Sequence, residues 1–423
     1  MAADHPLRIL FAPETFNLGE TSRAVEVAKH LTRWGHDVLF MGYSRRFADY
    51  VRRAGFTLEF LDPELSERQA DQLIAADQGR SLRHPFSTDM VRRRVASERA
   101  LIEHWQPDCV VIGTTLTLFI SARAAAIPLV YVRPYAMSKG HLAQMRTFPL
   151  CQGNSRLGER VNRIAGRVVR TVVPRVRWKP ASFSRVAAEH RVSLPPRTLD
   201  ALDADLTLIA SLFPHLDQRP LAPGEVAVGP VYAHGAGELP ERVRALADSD
   251  RPVVYVGLGS SARGQLAVDI LHQVGTLDVE VVSSAGRYLS EAERHRLPGN
   301  VQVHDFLPAH LLAGIIDASV IHGGEGTVQT ACASGVPFAG IGLQSEQRFN
   351  IDECVRYGNA VRFTPGDIRS GRLPELLTGL LRDDDARQAA QQLHRAAHPV
   401  GGSNAASAIL TFIRGDVGAP PGG

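Results

Sequence analysis

The sequence predicts an α/β protein with two doubly wound parallel-sheet domains, and two observations support this prediction. Short apolar runs alternate with amphipathic stretches along the whole chain, which is the pattern of parallel strands covered by helices on both faces. The chain also has 423 residues, more than one ordinary domain needs, so that each half is long enough to bury a core.

Ten strands are predicted, five in each half of the chain. They lie near RILFAP, DVLFMG, LEFLD, CVVIG and LVYVR in the first half and near VVYVGLG, EVVSSAG, VQVHDF, ASVIHGG and PFAGIG in the second. We therefore expect a first domain over residues 1–214, a proline-rich linker over 215–230, a second domain over 231–415 and a flexible tail over 416–423.

The composition excludes several classes of protein. A hydrophobic fraction of 44% and a charged fraction of 22% are typical of a globular chain, and a net charge of +3 gives no argument for a nucleic-acid partner. The four cysteines are scattered without a CxxC pair, so we expect reduced thiols, no metal and a cytoplasmic location. The N-terminus does not show the pattern of a signal peptide.

One segment tests the prediction of a protein without membrane spans. Residues 109–132 are long enough to cross a bilayer and contain a single charge, Arg123. Pro128 and the alanine-rich stretch before it separate two β-branched runs, however. This pattern favours a buried strand, helix and strand.

A glycine-rich loop in the second half is the strongest functional signal. IHGGEGTVQTACASGVP, residues 321–337, follows a predicted strand and enters a helix expected from about Thr327 to Ser334, with Gly335 ending it. Free amides at a helix start attract anions, and glycines let the backbone approach them, so a phosphate or diphosphate is expected here. His322 and Thr327 are the polar donors, and the missing lysine disfavours a Walker-type site. The alternative is a tight turn without a ligand.

A second glycine-rich turn competes with this loop. Gly257, Gly259 and Ala262 have the spacing of a dinucleotide fingerprint, and Glu280 lies where an acid that binds ribose would be expected. This pattern would indicate a nicotinamide enzyme. The signal is weak because such turns are common and Glu280 also fits the exposed start of a strand.

Two polar residues follow the next predicted strand. Glu346 and Gln347 should lie at the same sheet edge as the glycine-rich loop. A carboxylate beside an amide suits vicinal sugar hydroxyls, because one accepts hydrogen bonds and the other both donates and accepts them. The alternative is an ordinary helix start, where a glutamate is favourable.

The segment HGGEGTVQTACASGVPFAGIGLQSEQRFN resembles the donor-site signature of nucleotide-sugar-dependent glycosyltransferases of the GT-B fold, in particular bacterial antibiotic and natural-product glycosyltransferases of the macrolide type. That pattern is His-x-Gly-x-Gly-Thr, then Ala-x-x-x-Gly-Val-Pro, then an acid with Gln and a nearby Asn. It falls here on His322, Gly324, Gly326, Thr327, Ala331, Gly335, Val336, Pro337, Glu346, Gln347 and Asn350. The fragments GLGSS and FLP extend the similarity within the second half, and RWGHDVLF and PDCVVIG extend it, more loosely, into the first half.

The resemblance implies two facing Rossmann-like domains with an interdomain cleft. It implies that the second domain binds the donor diphosphate, the nucleotide base through backbone near Leu307, and the sugar through Glu346 and Gln347. The residues implied for the diphosphate are Ser260, His322, Gly324, Gly326 and Thr327. The implied reaction is displacement at the anomeric carbon with inversion, with the nucleotide sugar as co-substrate and no metal or cofactor.

The first half departs from the family pattern. Relatives place a catalytic histidine in a Gly-His pair, often with a supporting aspartate, whereas here Gly19 is followed by Glu20 and the supporting position is Gly113. Glu20 is our candidate general base, although a glutamate of ordinary pKa, about 4.3, is a poor base at neutral pH. The alternatives are that Glu20 only stabilises the helix expected from about Thr21, that Glu14 is the base, or that the acceptor needs little deprotonation.

Residues 156–179 predict a cationic amphipathic helix that Pro174 would kink or end. Apolar residues recur at helical spacing and arginines fill the positions between them. Three interpretations remain open: a helix packed on the core, a helix on an anionic membrane, and a helix that binds an acidic small molecule.

These observations predict a glycosyltransferase that uses a UDP- or dTDP-sugar and a small, natural-product-like acceptor. Two alternatives are an auxiliary protein that binds the nucleotide sugar without catalysis, and an enzyme for a lipid-linked or phosphorylated acceptor. Membrane contact is not favoured, and a homodimer is left open.

Overall fold

The computed structural model describes residues 5–77, 84–151, 156–235, 237–259, 264–397 and 400–415, apart from the side chains of Asp77 and His215. The chain divides into two compact units. The first contains Met1–Met145, Arg167–Val231 and Val400–Gly423, and the second contains Arg146–Gly166 and Tyr232–Pro399.

The first unit contains a parallel sheet of seven strands in the order β3-β2-β1-β4-β5-β6-β7. Its strands are β1 (Arg8–Ala12), β2 (Asp37–Gly42), β3 (Leu58–Phe60), β4 (Cys109–Ile112), β5 (Leu129–Arg133), β6 (Leu206–Ile209) and β7 (Glu225–Ala227). The central strands β1 and β4 are almost entirely buried, because helices cover both faces of the sheet.

The first ten helices are α1 (Leu18–Arg33), α2 (Ala48–Arg53), α3 (Glu67–Asp77), α4 (Thr88–Trp105), α5 (Leu118–Ala124), α6 (Lys139–Gln144), α7 (Arg156–Val172), α8 (Ala181–Glu189), α9 (Thr198–Ala201) and α10 (Leu212–Leu216). Helix α1 begins three residues earlier than expected, because Asn17 caps it by accepting a hydrogen bond from the Gly19 amide at 3.0 Å. Glu20 therefore lies inside the first turn.

The second unit contains a parallel sheet of six strands in the order β10-β9-β8-β11-β12-β13. Its strands are β8 (Val253–Gly257), β9 (Glu280–Ser283), β10 (Val301–Val303), β11 (Ala318–Ile321), β12 (Phe338–Ile341) and β13 (Ala360–Phe363). The later helices are α11 (Glu241–Arg244), α12 (Gln265–Gly275), α13 (Glu291–His295), α14 (Glu325–Ser334), α15 (Ser345–Tyr357), α16 (Pro365–Arg369), α17 (Leu373–Leu381), α18 (Asp384–Ala396) and α19 (Gly401–Ile413).

The structure confirms the predicted fold class and all ten predicted strands. Three short strands were missed: β6, β7 and β13. β7 (EVA) and β13 (AVRF) lack a continuous apolar run, because each contains a charged residue. Residues 109–132 form β4, α5 and most of β5, as expected, and among the described residues no helix has the length and apolar character that a membrane span requires.

Two of the predicted domain boundaries are wrong. The expected linker 215–230 contains β7, which pairs with β6 as the last strand of the first sheet. The end of the second domain at residue 415 is also too late, since α19 packs in the first unit, where Ala405 and Ile409 contact the core that contains Val25. The expected tail 416–423 lies outside the described residues.

Helix α7 exposes the side chains that the core-packing interpretation would bury. It ends before Pro174, as predicted. Its buried residues are small or polar, namely Gly158, Asn162, Ala165 and Gly166, whereas four large apolar residues are exposed, namely Leu157, Ile164, Val168 and Val172. The core-packing interpretation is therefore wrong for this helix.

Candidate functional site

The candidate residues of the second unit lie at one edge of its sheet. Because all six strands are parallel, the loops that follow β8, β10, β11 and β12 emerge at their shared carboxyl edge. These loops carry Gly259, Leu307, His322 and the residues before Glu346. Ser260 lies outside the described residues, so its predicted role stays a prediction.

The glycine-rich loop enters α14 without a side-chain cap. Gly324 is the N-cap, and the first hydrogen bond of the helix runs from the Val328 amide to the Gly324 carbonyl at 2.9 Å. The amides of Glu325, Gly326 and Thr327 therefore point out of the helix start, where the helix dipole attracts anions. The helix begins two residues earlier than predicted and ends at Gly335 as expected, with a φ of 77°.

His322 packs between two glycines that leave room for its ring. A Cβ atom at Gly259 would lie 2.6 Å from the imidazole Cε1, and one at Gly324 would lie 2.7 Å from Nε2. Any larger residue at either position would displace the ring. The spacing of the histidine and glycines thus has a direct packing cause.

The proton on His322 is fixed by a backbone carbonyl. Nδ1 lies 3.3 Å from the Gly257 oxygen, which can only accept, so Nδ1 carries the hydrogen. In the neutral ring Nε2 is then an acceptor. Burial lowers the pKa of His322 from its ordinary value of 6.5, against the opposite effect of this hydrogen bond. An anionic oxygen needs a donor, so its binding at Nε2 would be accompanied by the uptake of a proton on that nitrogen.

Gly326 faces open space. A Cβ atom there would meet no heavy atom within 4 Å among the described residues outside its own helix. Gly323, in contrast, has a φ of 80° and is packed so closely that a Cβ atom would lie 2.6 Å from the Gln347 carbonyl oxygen. The loop is thus tightly packed at Gly323, whereas the described residues leave the Cβ position of Gly326 unobstructed.

The polar residues after β12 belong to the start of α15. Glu346 and Gln347 lie in its first turn, and the Gln347 Oε1 accepts a hydrogen bond from the Leu343 amide at 3.1 Å. Asn350 donates to the Gly323 carbonyl at 3.1 Å and so ties α15 to the glycine-rich loop. The structure brings these predicted sugar-binding residues next to the predicted diphosphate loop.

Leu307 follows β10, and its side chain is buried in a small cluster with Leu239 and Leu312. Only its backbone is therefore available at this edge, as the predicted role requires. The adjacent Phe306 is 49% exposed.

The geometry does not support the competing dinucleotide fingerprint. Glu280 begins β9 and forms an ion pair with Arg251. The amino end of a parallel strand lies at the sheet edge opposite to the loop that carries Gly259. Glu280 is therefore at the wrong edge to bind a ribose held at that loop.

In the first unit, Glu20 contacts the loop that follows β4. Its Oε2 accepts hydrogen bonds from the Thr114 amide at 3.0 Å and from the Thr114 hydroxyl at 3.1 Å. A Cβ atom at Gly113 would lie 2.5 Å from the same oxygen. Glu20 and Gly113, the two departures from the family pattern, therefore depend on each other. Only glycine at 113 lets the Glu20 carboxylate reach Thr114.

Glu14 is not a candidate for contact with an acceptor. It is 1% exposed and pairs with the buried Arg94 at 3.0 Å. Burial raises its pKa, and the charge of Arg94 lowers it. The Arg94 guanidinium also lies 3.6 Å from the centre of the Tyr43 ring. We assign Glu14 to this buried network.

The same network includes a second buried acid. Glu98 accepts hydrogen bonds from Tyr43 at 2.8 Å, from Ser121 at 2.6 Å and from Thr117. Burial raises its pKa to about 7, although these donors and the charge of Arg94 oppose the shift. Such a group titrates within the physiological range.

Residues 268–402 match a family described as erythromycin biosynthesis protein CIII-like, C-terminal domain. Over 396 residues the chain is 27% identical to a PGL/p-HBAD biosynthesis rhamnosyltransferase of Mycobacterium bovis, which covers 91% of this chain and 83% of the relative. It is 29% identical over 272 residues to the 4'-demethylrebeccamycin synthase of Lentzea aerocolonigenes, which covers 62% of this chain and 63% of that protein. The chain is thus similar to glycosyltransferases over most of its length.

The chain has the GT-B fold. The glycosyltransferase VinC, solved in complex with dTDP, aligns with a TM-score of 0.69 at 19% identity and covers 96% of this chain and 100% of that one. The resemblance and the fold class predicted from the sequence are confirmed. The roles of individual residues stay predictions.

Sequence reasoning missed Thr114. The signal was present, because the polar pair Thr114 and Thr115 follows the buried strand β4 at its carboxyl end. Asn350 was recognised as part of the pattern, but its bond to the loop backbone could not be read from spacing.

Proposed function

We propose that this chain transfers a sugar from a UDP- or dTDP-sugar to a small, natural-product-like acceptor, with inversion and without a required metal. One observation supports this proposal most strongly. The start of α14 presents three backbone amides beside His322, and a Cβ atom at Gly326 would meet no heavy atom within 4 Å among the described residues. An anionic group fits there, and a diphosphate is the anionic part of a nucleotide sugar.

In the proposed step the acceptor oxygen forms a bond to the anomeric carbon while the bond from that carbon to the diphosphate oxygen breaks. The electron pair of the broken bond stays with the diphosphate. Its growing charge is stabilised by the amides of α14 and by the His322 ring, which has taken up a proton at Nε2. Glu20 accepts the proton that the acceptor hydroxyl loses.

The proposed donor position follows from the loops around the diphosphate. Glu346 and Gln347 at the start of α15 would contact the sugar, and the backbone near Leu307 would contact the base. Thymidine diphosphate is favoured as one candidate nucleotide because VinC, which has the same fold, was solved in complex with dTDP.

A panel of nucleotide diphosphates and their sugars tests the donor assignment. We expect UDP or dTDP and a corresponding sugar to raise the melting temperature, since ligands that bind the native state stabilise it. Nucleosides without phosphate should have a much smaller effect. A panel in which none of these nucleotides raises the melting temperature would contradict the proposed donor class.

A second candidate is an auxiliary protein that binds the nucleotide sugar without catalysis. The Gly19-Glu20 pair favours it, because the family that the sequence resembles has histidine at the second position of this pair. Release of the nucleoside diphosphate in the presence of an acceptor separates the two functions. Donor binding without release across a broad acceptor panel would favour the auxiliary protein.

A further inference from the structure

We propose that α7 binds an anionic lipid surface, with its exposed apolar side chains inserted among the lipids and its arginines on the charged headgroups. The proposal concerns a surface of this chain and does not depend on the proposed sugar transfer. It rests on how α7 is held, on what it exposes and on its charge.

Helix α7 is attached through contacts that need no large apolar side chain. A Cβ atom at Gly166 would lie 2.6 Å from the backbone of Arg146 and Thr147, so the helix packs directly on that backbone. Asn162 accepts a hydrogen bond from the Cys151 amide at 2.8 Å and donates one to the Cys151 carbonyl at 2.9 Å. Its own carbonyl accepts one from the Phe148 amide at 2.9 Å.

This attachment leaves the apolar side of the helix turned outwards. Leu157, Ile164, Val168 and Val172 are 73%, 55%, 53% and 51% exposed. Steps of seven, four and four residues place them on one face of a helix. We call these four residues the apolar stripe. A row of large apolar side chains this exposed marks an interaction surface.

The charge beside the apolar stripe identifies the partner. Helix α7 carries five arginines and a single acid, Glu159. The arginines are Arg156, Arg160, Arg163, Arg167 and Arg170. Their helical positions lie side by side, between the apolar stripe and the side occupied by Glu159. Within the described ranges none of these five arginines forms an ion pair, so their charges remain available to an anionic partner.

An anionic membrane provides both contacts that this helix lacks. Its acyl region accepts apolar side chains, and its headgroups attract the neighbouring arginines. The exposed Trp178, six residues after α7, is a residue type favoured at membrane interfaces. A bound protein or a second copy of this chain would need a row of acids to match the arginines, and a lipid surface provides that charge without one.

Vesicle sedimentation of the full chain tests the proposal. We expect the protein to sediment with vesicles of phosphatidylcholine and phosphatidylglycerol and to remain in the supernatant with phosphatidylcholine alone. Ile164→Gln with Val168→Gln should reduce the partition coefficient at least tenfold. Arg160→Gln with Arg167→Gln should reduce it about 30-fold at low salt and less at high salt.

Matched controls keep the outcome interpretable. Val226→Gln changes an exposed valine on β7, and Arg52→Gln with Arg53→Gln changes two exposed arginines on α2, so both should sediment like the unchanged protein. Unfolding curves identify any variant that has lost its fold. Failure to sediment with anionic vesicles, equal binding to neutral ones, or equal loss in the controls would overturn the proposal. So would a dimer that only the apolar substitutions dissociate, because a second copy would then cover the stripe.

Discussion

The loops after β1 and after β11 begin from the same arrangement, a parallel strand that enters a helix, but they use different sources of charge. The loop after β11 contains backbone amides and one neutral imidazole. The loop after β1 carries Glu20 at the start of α1 and, beneath it, Glu14 buried against Arg94. One loop has the amides that an anion site needs, and the other presents a carboxylate.

This difference explains why the two halves resemble the family unequally. Diphosphate is common to every nucleotide sugar, and the packing of Gly259 and Gly324 against His322 leaves little freedom to change that loop. The loop after β1 would meet an acceptor that varies between enzymes. There, a glutamate can replace a histidine once Gly113 makes room for it.

Among the variants that test this comparison of the two loops, Glu20→Gln should have the largest effect. Loss of a general base lowers turnover by about 10²- to 10⁴-fold, while the affinity for the donor should stay unchanged. Turnover and nucleotide binding by calorimetry provide the two measurements. Glu67→Gln, an exposed acid on α3, is the control. Turnover that stays within twofold in Glu20→Gln would show that the acceptor needs no base at this position.

Glu98→Gln tests how much the buried acids of the first unit contribute to the pH dependence of stability. The folded chain holds the Glu98 proton up to a pKa of about 7, against an ordinary value of 4.5, so the unfolded chain loses that proton first as the pH rises. The free energy of unfolding should therefore fall between pH 4.5 and pH 7, by up to about 3 kcal/mol from this group. The free energies of unfolding measured in urea at pH 5 and at pH 8 should differ less in the variant than in the unchanged protein. Glu14 remains as a second source of that difference. An unchanged difference would remove Glu98 as its cause.

Gly113→Ala tests whether Glu20 acts through its position. The added methyl group would meet the Glu20 Oε2, so the carboxylate must leave Thr114. We expect turnover to fall about tenfold with donor affinity nearly unchanged, because misplacing a reacting group costs rate rather than binding. The melting temperature should also fall, since the methyl group would lie 3.1 Å from the Pro13 Cα. Gly299→Ala, where a Cβ atom has free space, is the matched control. Equal turnover in both variants would contradict this role.

The sequence predicted most of the buried strands and the glycine-rich helix start because both depend on local patterns. Buried parallel strands appear as apolar runs, and a helix start after glycines is recognisable from a few residues. The contacts of Glu20 could not be predicted, since Thr114 lies 94 positions away and only the pairing of β1 with β4 brings them together. The exposed stripe of α7 was also out of reach, because periodicity shows that a helix has an apolar side but not which side packs.

The return of α19 to the first unit shows the same limit. Its alanines and Ile409 look like any apolar helix, and only the contact with α1 reveals where they pack. Chain order predicted that it belonged to the second domain.

The most direct test of the central claim is the affinity of His322→Ala for UDP and dTDP, measured beside the matching nucleosides from pH 6 to pH 8. If the diphosphate lies at the start of α14, the variant should bind the diphosphates at least tenfold more weakly at pH 6 and the nucleosides equally well. The unchanged protein should bind the diphosphates more tightly as the pH falls, since Nε2 of a ring whose pKa lies below 6.5 must take up a proton to donate. His295→Ala, an exposed histidine on α13, should behave like the unchanged protein. Unaltered diphosphate affinity and pH dependence in His322→Ala would contradict the account.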